Sequence, residues 1–249
     1  MTTTQQLYDQ LTTVLCEGNI HKALQHLQKI CDDQENDGAA WELRGLLQAQ
    51  AQQPADAVQS FERASLLIPL EPWSSRVMAL QYIAIGRSQL GIDLLFELGT
   101  SSLLKTPLVR MVSHDLLTLG HPEKSAEILC QAIERSPEDA ILWHELSATQ
   151  SVLGEAPSEC LTSAYRAIEL MPEATEFRVT AATLLIRMDQ VLEAYHLVRQ
   201  VVTSESIELD CDCCLWRLIH LFNCFADRDR VRVCYRKLQS KQFTAQAQS

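Results

Sequence analysis

The sequence predicts an all-α fold, a solenoid of about seven helical hairpins, and three regularities predict it. A step of 34 residues leads from Leu7 through Trp41, Ser75, Val109 and Trp143 and, after one extra residue, to Arg178 and Asp212. A period of that length marks a stack of repeated supersecondary units. Eleven residues past each of these points stands Gly18, Gln52, Gly86, Gly120, Gly154, Asp189 or Asn223. Glycine takes the left-handed conformation that ends a helix without a Cβ penalty, and Asp and Asn tolerate it next best. Sixteen residues past the same points the side chains are small: Ala23, Ala57, Gly91, Ser125, Ala194 and, after the extra residue, Cys160.

The repeats follow in order. The first, near 4–37, ends in an acidic cluster of Asp32, Asp33, Glu35 and Asp37. The second, 38–71, has the clearest periodicity: Ala57, Phe61, Ala64, Leu67 and Ile68 lie on one helical face, and Pro69 closes the unit. In the third, 72–105, Gly91 falls inside the expected second helix, at roughly 0.5–1 kcal/mol relative to Ala, and Leu103 replaces the closing proline, so distortion is expected. The fourth, 106–139, and the fifth, 140–174, close at Pro137 and Pro172. The fifth carries the extra residue, expected in 155–158 between its helices, where added length costs little. The sixth spans 175–208. The seventh, 209–242, puts Arg228 and Arg232 where other repeats are small and apolar. Its stripe of Val231, Cys234, Tyr235 and Leu238 is ringed by Arg230, Arg232, Arg236, Lys237 and Lys241, as suits a polar cap on an open core. Gly45, Ala79, Ser113, Ser147 and Ala182, four past the repeat points, let paired helices approach closely. Residues 1–243 therefore read as one array and 244–249 as a polar tail.

Trp41, Gly45, Ala57, Phe61, Ala64 and Pro69 carry the spacing W-x3-G-x11-A-x3-F-x2-A-x4-P, which resembles the tetratricopeptide repeat. The resemblance implies a right-handed superhelix whose first helices line a concave groove where a protein or extended peptide binds. It also implies that the groove is faced by the residue after each Trp position and by the one four further on. These rows read Tyr8, Glu42, Arg76, Arg110, His144, Val179, Cys213 and Thr12, Leu46, Leu80, His114, Ala148, Thr183, Arg217. Arg76, Arg110, His114 and His144 would form a basic centre suited to an acidic or carboxylate ligand, because guanidinium holds carboxylates bidentately. Tyr8, Trp73, Leu46 and Leu80 would add apolar or aromatic contacts, with Trp73 one turn before Arg76 and able to stack beneath it. The competing reading pairs these charges within the chain, Asp115 and Glu145 being close in sequence. The Lys and Asn set by which some relatives clamp chaperone tails is absent: Tyr8 and Thr12, or Glu42 and Leu46, stand there.

Composition narrows the function classes. The net charge of −11 argues against nucleic acid as a partner. No apolar stretch of membrane-spanning length and no export leader is read, and nine cysteines at irregular spacing suit reduced thiols, so a cytoplasmic protein is expected. No nucleotide-loop, nucleophile-elbow or zincin motif occurs, so neither an enzyme nor a cofactor is expected. Cys213, His220 and Cys224 share a helical face, with Cys211, Cys214 and Cys234 nearby. Among Leu215, Trp216, Leu218, Ile219 and Phe222 they are expected to pack as small apolar side chains, without a metal. The expected function is a protein-interaction scaffold. Two alternatives stand beside it: a self-assembling structural protein, joining the acidic first repeat to the basic 228–241 segment of net charge +5, and a metal or thiol-redox module at the C-terminal cysteines.

Overall fold

The structure is a computed structural model and describes residues 14, 16, 18–203, 207–209 and 211–246. Among these residues there are helices and no strands. The chain divides into two compact units, 1–119 and 120–249. Unit 1 contains α1 (Ile20–Asp33), α2 (Gly38–Gln50), α3 (Pro54–Ser65), α4 (Pro72–Ala84), α5 (Ser88–Thr100) and α6 (Thr106–Thr118). Unit 2 contains α7 (Pro122–Arg135), α8 (Ala140–Leu153), α9 (Pro157–Leu170), α10 (Thr175–Arg187), α11 (Val191–Val198), α12 (Asp212–Cys224) and α13 (Arg228–Gln246). In each unit consecutive helices pack on one another, joined by short turns except for the long connection between α11 and α12. Helix α13 runs to Gln246, three residues into the segment expected as a tail.

Left-handed backbone occurs at Gly18, Gln52, Gly86, Gly120, Gly154 and Asp189, with φ between 58° and 83°. These are six of the seven expected stops. From each, one further residue leads into the next helix, except that Glu155 and Ala156 both separate Gly154 from Pro157. The extra residue of the fifth repeat therefore sits between its two helices. The seventh repeat departs from its expected register. Its left-handed residue is Ala226 (φ 53°) rather than Asn223, and α13 starts two residues on, at Arg228. Counting back eleven makes Leu215, not Asp212, the equivalent of Trp143. Leu215 is fully buried, and Ile219 takes the close-packed place four beyond it. Three residues have thus been added ahead of α12, and Arg228 and Arg232 no longer fall at small apolar positions.

The third repeat is not distorted. Helix α5 is 13 residues long, as α4 is. A Cβ on Gly91 would collide with the Ala79 carbonyl oxygen and with Ile83, so the glycine is what lets α5 lie directly on α4. Leu103, in place of the closing proline, is 90% exposed. The core of unit 1 includes Ala23, Leu27, Ile30, Ala40 and Leu47, and Phe61 is packed against Gly45. Unit 2 is centred on Ala164, Leu185, Ala194, Leu215, Phe222 and Cys234.

The Trp position keeps a function when its residue type changes. The Trp41 indole N–H donates to the Glu35 carbonyl at 3.1 Å, and that of Trp143 to the Pro137 carbonyl at 2.9 Å. Arg178 does the same from its Nε to the Pro172 carbonyl at 2.9 Å. In all three the acceptor lies six residues back, in the turn that leads into the helix. A long side chain with a rigid N–H closes that turn whether its ring is indole or its head is guanidinium.

Candidate functional site

The first helices of three repeats in unit 1, α2, α4 and α6, each touch the next. Two charged residues from the expected groove row bind them together. Glu42 is buried on α2, and its Oε1 accepts the Glu71 N–H at 2.9 Å, just ahead of α4. Amide donors without helical acceptors and the helix dipole both favour a carboxylate there. Arg76 on α4 holds Asp115 on α6 through both arms, Nε to Oδ2 at 2.6 Å and Nη2 to Oδ1 at 2.8 Å. The two side chains are 13% and 12% exposed. The same guanidinium lies 5.1 Å from the Trp73 ring centroid, while Trp73 remains 46% exposed. Arg76 therefore meets Trp73 as the sequence suggested, and Asp115 matches its charge, which is the intramolecular pairing weighed above. Arg110 is half-buried and His114 exposed on α6, and Leu46 and Leu80 are half-buried on α2 and α4. Tyr8 and Thr12 lie outside the described residues.

His144 belongs to unit 2. It is half-buried on α8 and stacks on Phe177 of α10, with centroids 4.6 Å apart and planes at 28°. The structure thus places Arg76, Arg110 and His114 in unit 1 and gives His144 an aromatic partner in unit 2. The register of the seventh repeat moves its groove positions from Cys213 and Arg217 to Trp216 and His220. Trp216 is 54% exposed and meets Tyr235 of α13 edge-on, with centroids 5.7 Å apart.

Two polar features were missed by the sequence reading. The first is a cleft of 620 Å³ in unit 1 lined by Asp32, Glu35, Trp41, Arg44, Gln48 and Arg63, among others. Arg44 lies 5.1 Å from the Trp41 ring, and Ser60 donates to buried Gln48 at 2.6 Å. Residues 41, 44 and 48 share a helical face that is different from that of Glu42 and Leu46, so the cleft is not on the expected row. Their i, i+3, i+7 spacing was the available signal. The second is a network at the end of unit 2. Tyr195 donates to Asp227 at 3.0 Å, and Arg230 donates to Asp227 at 2.9 Å, to the Val202 carbonyl at 2.6 Å and to the Arg199 carbonyl at 3.1 Å. Burial pushes the Asp227 carboxyl up, but the bonds from Tyr195 and Arg230 outweigh it and hold the group below its ordinary value. One of the supposed solvated arginines of α13 is therefore a strut.

The grouping of the cysteines also differs from expectation, although their unpaired state matches it. All nine are free thiols. The sulfurs of Cys211, Cys213 and Cys214, at the start of α12, lie within 4.8 Å of one another, whereas His220 and Cys224 are outside this group. Burial raises the Cys214 thiol to about 12, with Cys211 beside it adding to the rise. At Cys211 burial also works upward, but the thiols of Cys213 and Cys214 and their backbone N–H groups prevail, and its thiol sits below the ordinary value.

Against solved structures, the chain is similar to the C-terminal part of a repeat protein from Cytophaga hutchinsonii, with 9% identity, 94% of both chains covered and a TM-score of 0.63. It is also similar to a tetratricopeptide repeat protein from Parabacteroides merdae, with 12% identity, 95% of this chain and 92% of that one covered and a TM-score of 0.62. The chain has a tetratricopeptide-repeat fold. YrrB, described as a tetratricopeptide-repeat protein with an unusual peptide-binding site, shares it at 14% identity and a TM-score of 0.52, over 71% of this chain and 90% of that one. No protein-family model and no curated protein sequence matches the chain. Among the described residues of this repeat fold, no helix is long and apolar enough to cross a membrane.

Proposed function

We propose that this tetratricopeptide-repeat chain is a protein-interaction scaffold, its seven repeats over 1–243 acting as one cytoplasmic array and its first helices in unit 1 receiving a peptide or protein segment. The observation that carries this reading is the arrangement of α2, α4 and α6. Glu42 and the Arg76–Asp115 pair brace these helices, so Trp73, nearly half exposed, is presented on a fixed wall beside partly exposed Leu46 and Leu80. A rigid aromatic with an exposed face is an economical anchor, because little side-chain entropy is lost on binding. YrrB, of the same fold, is described with a peptide-binding site, which supports the reading without naming a partner.

The ligand is an acidic segment whose carboxylates approach Arg110 and His114 on α6. His144 contributes as a packed support for α8 and α10. Photo-crosslinkers placed at Leu80 and, for contrast, at Leu103 test the proposal in the native cell. A discrete protein adduct from position 80 alone, weakened at least about tenfold by Trp73→Ala or Arg110→Glu, is expected from loss of a central anchor. Equal adducts at both positions, or adducts indifferent to both substitutions, would overturn it.

Self-association is the second reading, favoured by the exposure of Arg232 and Arg236 on α13 and of Asp32, Asp33 and Glu35 in the first repeat. Light scattering that reports an oligomer at low salt and a monomer at high salt would select it.

A further inference from the structure

The first turn of α12 carries a feature that a peptide-binding scaffold does not need. Cys211 is the residue ahead of the helix, and Cys213 and Cys214 lie in its first turn. An extended residue followed by helical ones turns their side chains toward a common point. The Cys211 and Cys213 sulfurs are 2.7 Å apart and those of Cys213 and Cys214 are 3.9 Å apart. All three pairs are within 4.8 Å.

The added residues ahead of α12 create this arrangement. They move the seventh repeat three positions along, so that Leu215 enters the core and the cysteines fall at the open end of the helix. Cys214 is half-buried against the core of unit 2 and anchors one side of the cluster, whereas Cys213 is exposed and leaves an approach from solvent. Backbone N–H groups at a helix start favour accumulated negative charge, which a set of metal-bound thiolates brings.

We propose that Cys211, Cys213 and Cys214 form a three-sulfur site for a soft monovalent cation, Cu(I). Around one ion with metal–sulfur bonds of about 2.3 Å, three sulfurs in a trigonal plane lie about 4 Å apart, close to the Cys213–Cys214 separation. Exposed Cys213 must turn outward by about 1 Å from Cys211 to complete the triangle. Soft sulfur donors select soft ions, and a filled-shell Cu(I) ion accepts three ligands without a geometric penalty. Zn(II) asks for four, and among the described residues no His, Asp or Glu joins these three sulfurs. Each Cu–S bond replaces an S–H bond, with its proton released to solvent and no change of oxidation state.

The test is an anaerobic titration of the fully reduced, full-length protein with Cu(I) in competition with bathocuproine disulfonate. One equivalent of Cu(I) should be withheld from the chelator, with thiolate-to-copper absorption in the ultraviolet. Cys213→Ser, at an exposed position that the fold does not depend on, should weaken that equivalent roughly 100-fold. Cys214→Ser should do the same if its far-ultraviolet spectrum is native, and Cys130→Ser and Cys224→Ser should leave it intact. Three results would each overturn the site: no copper withheld, copper retained unchanged by Cys213→Ser, or Zn(II) retained while Cu(I) is surrendered.

Discussion

The two units solve the same packing problem with different chemistry. In unit 1 the first helices are bound by charge: a carboxylate at a helix start and a bidentate Arg76–Asp115 pair between helices. In unit 2 the corresponding helices meet through apolar and aromatic contact, His144 on Phe177 and a core around Leu185 and Leu215, with one bond from Arg187 to Ser151, and the least exposed ion pair, Asp227 with Arg230, lies at the start of the last helix. Small residues allow close approach in both. What differs is what remains for a ligand. The wall braced by charge leaves Trp73 partly exposed beside Arg76, whereas in unit 2 Phe177 is buried under His144 and the exposed Trp216 rests edge-on against Tyr235.

The largest effect should come from the closest approach in unit 1. Gly91→Ala should lower stability by about 2–4 kcal/mol, because the added methyl meets the Ala79 backbone rather than a movable side chain. Chemical denaturation would read the loss, and a change below about 0.5 kcal/mol would show that α4 and α5 can separate at little cost. Next, Arg76→Ala should cost about 2–3 kcal/mol, less than a fully buried pair because some solvent reaches both groups. Hydrogen exchange should rise in α4 and α6 and remain unchanged in α10. If it does not rise, the charge brace is ornamental and the contrast between the units fails.

The third prediction concerns pH. The folded chain holds the Asp227 carboxyl below its unfolded value, so its contribution is fully present above about pH 4 and is lost as acid protonates the folded group. Asp227→Asn should therefore flatten the acid limb of unit 2 stability while leaving unit 1 unchanged. The smallest effect is a gain. Ala226 holds a left-handed conformation that costs an L-residue energy, and Ala226→Gly should stabilise the last hairpin by about 0.5–1 kcal/mol. A loss would mean that the Ala226 methyl group makes compensating contacts.

Most of the hairpin plan was legible because its signals are local. A residue that must reverse a helix is chosen by its own backbone, and six of the seven stops lie where the 34-residue step put them. The seventh was missed because nothing in the local sequence marks the three added residues, and the left-handed Ala226 together with the buried Leu215 reveals the slip. The cost expected for Gly91 was real, but the compensation, direct contact between helices, is a tertiary fact. The candidate site was less legible for a similar reason. Position alone put Arg76 beside Trp73, one turn away on the same helix. Its acceptor Asp115 is 39 residues distant, and nothing in the local pattern ranks it above solvent or a ligand. The cysteine grouping was misread because helical spacing put Cys213 with His220 and Cys224, whereas Cys211, extended ahead of the helix, brings its sulfur to those of Cys213 and Cys214.

The hydrogen bond made in turn by Trp41, Trp143 and Arg178 explains how such an architecture can persist while its text is rewritten. Geometry asks there for one donor at a fixed reach, not for a particular amino acid. Any lineage that supplies the vector can discard the indole, so kinship at this site is better sought in bond directions than in letters.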